Sequence, residues 1–118
     1  MQPQQIIAAF AALAHEHRLR IYRLLVERGP EGLPAGTIAE EVGLVPSSLT
    51  FHIQALQRAG LITQRRASRQ LIYAADFNAM NGVIAFMTEN CCGQSNVACA
   101  PGCVPGAAAK TRKARRAA

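Results

Sequence analysis

Apolar positions along this chain recur first at helical and then at strand spacing, and the change of period divides it into recognisable elements. From Gln4 to Ala14, Ile6, Ile7, Phe10 and Leu13 fall at i, i+3, i+4 and i+7 spacing, which predicts an amphipathic helix with these residues inward. A second helix follows over His15 to Arg28, with Leu19, Ile21, Tyr22, Leu24, Leu25 and Val26 biased inward and Gly29-Pro30 as its stop. Thr37-Ile38-Ala39-Glu40 matches the capping-box pattern and predicts the start of a short third helix, which ends near Val42 before Gly43. Pro46 suits the first position of a fourth helix, running to Ala59 and closed by Gly60.

The period then shifts. Leu61 to Arg65 and Gln70 to Ala74 read as two short strands around the polar loop Arg66-Ala67-Ser68-Arg69, a β-hairpin. Asp76 is a good N-cap for a fifth helix reaching about Asn90, with Phe77, Met80, Val83, Ile84 and Met87 as its apolar stripe. Beyond Cys92 the glycines and prolines predict loop, grading into a basic end. The expected organisation is an ordered unit over 1–92 and a cysteine-containing loop with a flexible basic tail over 93–118. A short helix, a Gly-containing turn, a second helix and a hairpin describe a helix-turn-helix followed by a wing. The fold class expected is therefore mainly α with a small β-hairpin, a homodimeric winged helix-turn-helix.

A length of 118 residues allows one domain with a thin core, a size at which oligomerisation often adds stability. No apolar run is long enough to span a bilayer, and the first residues lack the basic region of a secretory signal. A cytoplasmic protein with no membrane partner is expected. The formal charge of +6 rests on the end of the chain: five of the 13 basic residues fall between Lys110 and Arg116. The remainder carries 8 basic against 7 acidic residues, so the sign of the total says little about the folded part. The basic end can add salt-dependent phosphate attraction or be a solvated tail.

Where the other polar groups fall is more informative. The N-terminal part of the second helix of a helix-turn-helix meets base edges in the major groove. Here that part carries Ser47, Ser48, Thr50, Phe51, His52 and Gln54, while Leu49, Ile53 and Leu56 supply packing. Hydroxyls and amides can bond bases or phosphates, and glutamine can pair with adenine through two bonds. The hairpin adds Arg65, Arg66 and Arg69, suited to phosphate or minor-groove contact. His52 reads equally well as a half-buried packing residue. No Cys-x-x-Cys, phosphate-cradling loop or catalytic pairing occurs, so an enzyme, such as a small thiol-dependent reductase, is not expected.

These segments resemble the ArsR family of metalloregulatory repressors. Ala12-Leu13-Ala14-His15-Glu16-His17-Arg18-Leu19-Arg20-Ile21 is similar to its opening "aLadptRlrIl" stretch, and Ile38 to Leu44 to the first helix of its reading motif. Thr50-Phe51-His52-Ile53-Gln54-Ala55-Leu56-Gln57-Arg58-Ala59-Gly60-Leu61-Ile62 is similar to its most specific run, "S-x-H-L-x-x-L-x-x-A-G-L-V". The wing, Arg66 to Arg69 with Tyr73, resembles "R-x-G-R…Y", with Ser68 where the family has glycine. The resemblance covers about residues 5 to 92. It implies a homodimer built from the first and last helices, a palindromic operator in double-stranded DNA, and release by an inducer.

All four cysteines, Cys91, Cys92, Cys99 and Cys103, lie near the C-terminal end. In a reducing compartment such a cluster reads as metal-binding or redox-active. The Cys-x-Cys pattern of the family's familiar arsenic sensors is missing at Pro34-Ala35-Gly36-Thr37, and the last helix lacks the histidines of its zinc sites. The arrangement resembles instead a branch in which a Cys-Cys pair after the last helix, with a later cysteine, binds trivalent arsenic. Thiolates are soft ligands suited to trivalent arsenic or antimony. Cys91, Cys92 and Cys99 are the expected ligands, with Cys103 as substitute or fourth, and no organic cofactor is expected. A disulfide between the adjacent Cys91 and Cys92 would be strained. A four-thiolate zinc site, a redox switch and unused thiols remain as alternatives.

Overall fold

The computed structural model describes residues 1–91. Five helices and three strands follow one another as α1 (Pro3–Leu13), α2 (Glu16–Arg28), β1 (Leu33–Pro34), α3 (Ala35–Val42), α4 (Pro46–Arg58), β2 (Ile62–Ala67), β3 (Gln70–Ala75) and α5 (Phe77–Thr88). The strands form one antiparallel sheet in the order β1-β3-β2. This is a winged helix-turn-helix, as the patterning predicts. Among the described residues, no helix is long and apolar enough to cross a membrane.

The core is the meeting point of α2, α3, α4 and the sheet. Ile21 and Leu25 of α2, Ile38 of α3 and Leu49 and Leu56 of α4 are essentially out of contact with water, as is Leu61 at the entry to the hairpin. Each such side chain contributes about 1.5–3 kcal/mol by leaving water. Tyr22 is carried into the same core, where its hydroxyl has no hydrogen-bond partner among the described residues. Burial, with the Asp76 carboxylate as the second cause, raises the pKa of this phenol. Asp76 also caps α5, its carboxylate accepting from the Ala79 N–H at 3.1 Å.

The structure departs from the sequence reading at several places. On α1 the buried face is Ile6, Ala9 and Ala12, and Ile7 and Phe10 are exposed. Small alanines let this helix lie close to its neighbours, so the buried stripe is rotated away from the bulkiest residues. On α2, Leu19 and Val26 are likewise exposed. The third helix begins three residues earlier than the capping-box pattern implies, with Pro34 at the N-cap and Thr37 inside the first turn. Leu33 and Pro34 pair with Tyr73 and Ile72, so the chain enters α3 directly from a sheet edge that sets its start. A two-residue strand carries too little alternation to be read from sequence, and proline is tolerated there because the strand is at an edge.

The hairpin strands are longer than expected, and Arg66 and Ala67 belong to β2 rather than to the loop. Only Ser68 and Arg69 connect the strands. Ser68 takes the left-handed conformation at φ 59°, a geometry that costs a non-glycine residue about 1–2 kcal/mol. At the other end, α5 stops at Thr88, and Asn90 is also left-handed, turning the chain before Cys91. Of α5's predicted stripe only Val83 is buried, and Ile84 and Met87 face outward.

Among the described glycines, Gly32 has the least room for a side chain. Its φ is +73°, and a Cβ there would collide with the Tyr73 carbonyl oxygen, backbone that cannot swing aside. Gly43 has the same φ but open space around it. Gly43→Ala should therefore cost about 1 kcal/mol, the left-handed penalty alone. Gly32→Ala should cost at least about twice that, because β1 must also move off β3. Thermal or urea unfolding of the two variants checks the order; equal losses would remove the clash from the account.

Candidate nucleic-acid interface

The packing of α4 decides which of its polar residues reach solvent. Leu49, His52, Ile53 and Leu56 are buried, so Ser47, Thr50, Phe51, Gln54 and Arg58 form one exposed stripe at helical spacing. Four of these five were marked by the sequence; Arg58 was not, although its position four residues beyond Gln54 is the signal that finds it. Ser48 is half-buried at the margin. Neither serine caps the helix, whose N-cap is Val45 without a side-chain bond. The Thr50 hydroxyl donates to the Pro46 carbonyl at 3.0 Å, so its hydrogen is used inside the helix and its lone pairs remain as acceptors.

The wing stands beside this stripe. Between them runs a groove of about 620 Å³ lined by Thr50, Gln54, Gln57, Gln64, Arg69 and Gln70 among others. Gln57 of α4 donates to the Gln64 side-chain oxygen of β2 at 2.9 Å, tying the wing to the helix. The two glutamines were not singled out by the sequence; their seven-residue separation crosses a turn and has no periodic signature. Residues on β2 alternate between faces, which separates the arginines. Arg69 lines the groove. Arg65 points elsewhere: its Nη2 donates to the Glu31 carbonyl at 2.7 Å, bracing the turn before β1. Arg66 lies exposed on β2, across from Leu71.

His52 differs from the other predicted reading residues. It is 7% exposed and turned toward the start of α2. There its Nδ1 accepts from Arg18 Nε at 3.2 Å, which requires a neutral ring with the proton on Nε2. The tilted rings of His15 and His17 lie nearby, with centres 4.6 and 5.7 Å from that of His52. His15 itself caps α2, accepting the His17 backbone N–H at its Nδ1. Among the described residues, no group of three or more His, Cys, Asp or Glu is arranged to hold a metal ion. The histidines therefore form a packed junction between α2 and α4. Burial lowers the His52 pKa, and the positive or ionisable neighbours His15, Arg18 and His17 lower it further.

Of the predicted thiols, Cys91 is half-buried three residues beyond the end of α5. Cys92, Cys99 and Cys103 lie outside the described residues, as do the basic end and the proposed second segment.

A depressed folded-state pKa means that the unfolded chain binds the proton more readily. The His52 contribution to stability is thus fully present above the ordinary histidine value of about 6.5 and is lost as pH falls below it toward the folded value. His52→Gln retains an acceptor but does not titrate. The melting-temperature advantage of the parent over this variant should shrink between pH 7.5 and pH 5.5; a constant difference would show that His52 does not titrate in this window.

Comparison with known proteins agrees with this geometry. A family model described as a helix-turn-helix domain matches residues 13–65, from the end of α1 through the first strand of the wing. The HTH-type transcriptional regulator YgaV of Escherichia coli K12 is 29% identical over 89 residues, covering 75% of this chain and 88% of YgaV. Other HTH-type regulators match at 38% identity over 55% of their own length. Among solved structures, an ArsR-like transcriptional regulator from Rhodococcus sp. RHA1 superposes with a TM-score of 0.64 at 25% identity, over 71% of this chain and 76% of that one. The homodimeric winged helix-turn-helix domain Mb0332 from Mycobacterium bovis gives 0.61 at 24% identity over the same shares. The helix-turn-helix model spans just under half of the chain, and the chain is similar to HTH-type transcriptional regulators and to an ArsR-like one among solved structures.

Proposed function

We propose that this chain is a repressor that binds operator DNA as a homodimer and releases it when trivalent arsenic or antimony binds its C-terminal cysteine thiolates. The observation that carries the DNA-binding part is the single exposed stripe of α4, Ser47 to Arg58, flanked by a wing arginine. A helix presented this way fits the major groove, and a hairpin beside it reaches the adjoining backbone. No step of this function is enzymatic.

The dimer follows from what the fold leaves uncovered. Ile7 and Phe10 on α1 and Ile84 and Met87 on α5 are 46–67% exposed, and the two helices pack against each other. A second copy would bury this apolar surface, and Mb0332, of similar fold, is homodimeric. Because Ile84 and Met87 take little part in the core, Ile84→Asp with Met87→Asp should leave the monomer folded. Sedimentation should then show a monomer where the parent is a dimer, together with weakened operator binding; an unchanged dimer would place the seam elsewhere.

The sensing part rests on donor chemistry and position. Four thiols close in sequence offer the sulfur donors that trivalent arsenic and antimony prefer. Cys91 lies three residues beyond the end of α5, so an ion held by it acts close to a helix in the proposed dimer surface. To cause release, the metalloid must bind the DNA-free form more tightly than the DNA-bound form. Reduced protein on its upstream DNA, followed by fluorescence anisotropy, should be displaced by near-stoichiometric arsenite or antimonite and not by zinc or peroxide. Cys91→Ser with Cys92→Ser should bind DNA normally and fail to release it. Displacement by zinc or peroxide alone would replace the inducer and keep the repressor.

A further inference from the structure

A helix lying in the major groove has a phosphate backbone on each side of it. Successive residues of α4 are separated by about 100° around the axis, from 3.6 residues per turn. Thr50 and Gln54 therefore face one flank and Phe51 the other. The wing occupies the first flank, where Arg69 lines the groove beside Thr50 and Gln54. The second flank is occupied by the start of α2. There the guanidinium carbon of Arg18 lies 5.8 Å from the centre of the Phe51 ring, and its Nε donates to His52 Nδ1.

Phe51 is 56% exposed on the reading stripe, so a guanidinium held over its ring lies at the edge of that surface. The aromatic face attracts the cation, and the neutral imidazole fixes its orientation. The bond to His52 uses one of the five guanidinium N–H donors. Arginine suits phosphate because it can offer two parallel bonds from a planar fork, and here that fork is pre-positioned. The nearby rings of His15 and His17 close off the inner side of the junction.

We propose that Arg18 is a phosphate-contacting residue on the flank of α4 opposite the wing, with His52 and Phe51 as its positioning residues. Arg18 and Arg69 then bracket the reading stripe, so that both backbones bordering the major groove are gripped. This assignment rests on the DNA-binding reading above and adds a contact from α2, outside the α3–α4 pair.

The test is the salt dependence of duplex binding. Each phosphate contact contributes about 0.9 to the slope of log affinity against log salt. Arg18→Gln should lower that slope by about 0.9 per half-site and weaken operator and unrelated duplexes alike. Arg23→Gln, an equal charge change at an exposed position on α2, should leave the slope near the parent value. His52→Gln, which still accepts a hydrogen bond, should keep the slope, whereas His52→Leu should lose part of it. A purely structural Arg18 would lower the melting temperature and leave the slope equal to that of Arg23→Gln, overturning the proposal. Should Arg18→Gln fail to fold, phenylglyoxal modification of the unsubstituted protein decides: bound duplex should protect Arg18, and equal modification with and without DNA overturns it. If the parent chain binds no duplex at all, the DNA-binding reading falls as well; if it binds and Arg18 is silent, only this assignment falls.

Discussion

The apolar contact of Leu49, Ile53 and Leu56 with α2 and α3 is the constraint on which the rest of this molecule depends. These three side chains are 2% exposed or less, and they take one side of α4 out of water. At helical spacing, burying them leaves Ser47, Thr50, Phe51, Gln54 and Arg58 facing solvent. The exposed polar stripe of α4 is thus a consequence of core packing. Nothing has to specify the orientation of each polar residue separately.

Around that contact, the neighbouring elements are fastened by a few polar bonds, each with a local job. Gln57 to Gln64 ties the wing to α4, Arg65 to the Glu31 carbonyl braces the turn before the sheet, and Arg18 to His52 joins α2 to α4. Bonds of this kind contribute only about 0.5–3 kcal/mol each to stability, the larger values where the donor is a charged arginine. Their value lies in geometry, since they set where the wing and the start of α2 stand relative to the reading helix. His52 illustrates how closely packing and recognition are joined here. It sits within the run that resembles a reading motif, yet its ring faces inward and acts on the surface through Arg18.

Away from the core, α1 and α5 leave Ile7, Phe10, Ile84 and Met87 in contact with water. A chain of this size cannot cover every apolar face with its own residues. The same surface adjoins the point where the chain leaves α5 and reaches Cys91. Assembly and sensing are therefore placed at one end in the proposed function, and DNA reading at the other. Signal between them would pass through the packing of α1 and α5 against the central helices.

The sequence by itself determined the five helices, the hairpin and their order, because helix and strand periods are local properties written into spacing. Pro46, the capping Asp76 and the hairpin are legible for the same reason, as are the polar residues of α4. Tertiary structure alone decided which apolar residues are buried on α1, since that depends on how closely alanines allow a neighbour to approach. It alone placed Leu33-Pro34 at the edge of β3 and so fixed the start of α3. Likewise it turned Arg65 toward Glu31 and brought Arg18 to His52; each pair is separated by 34 residues. Contacts across such distances leave no periodic trace in the chain, because they are set by the angle at which whole helices and strands pack.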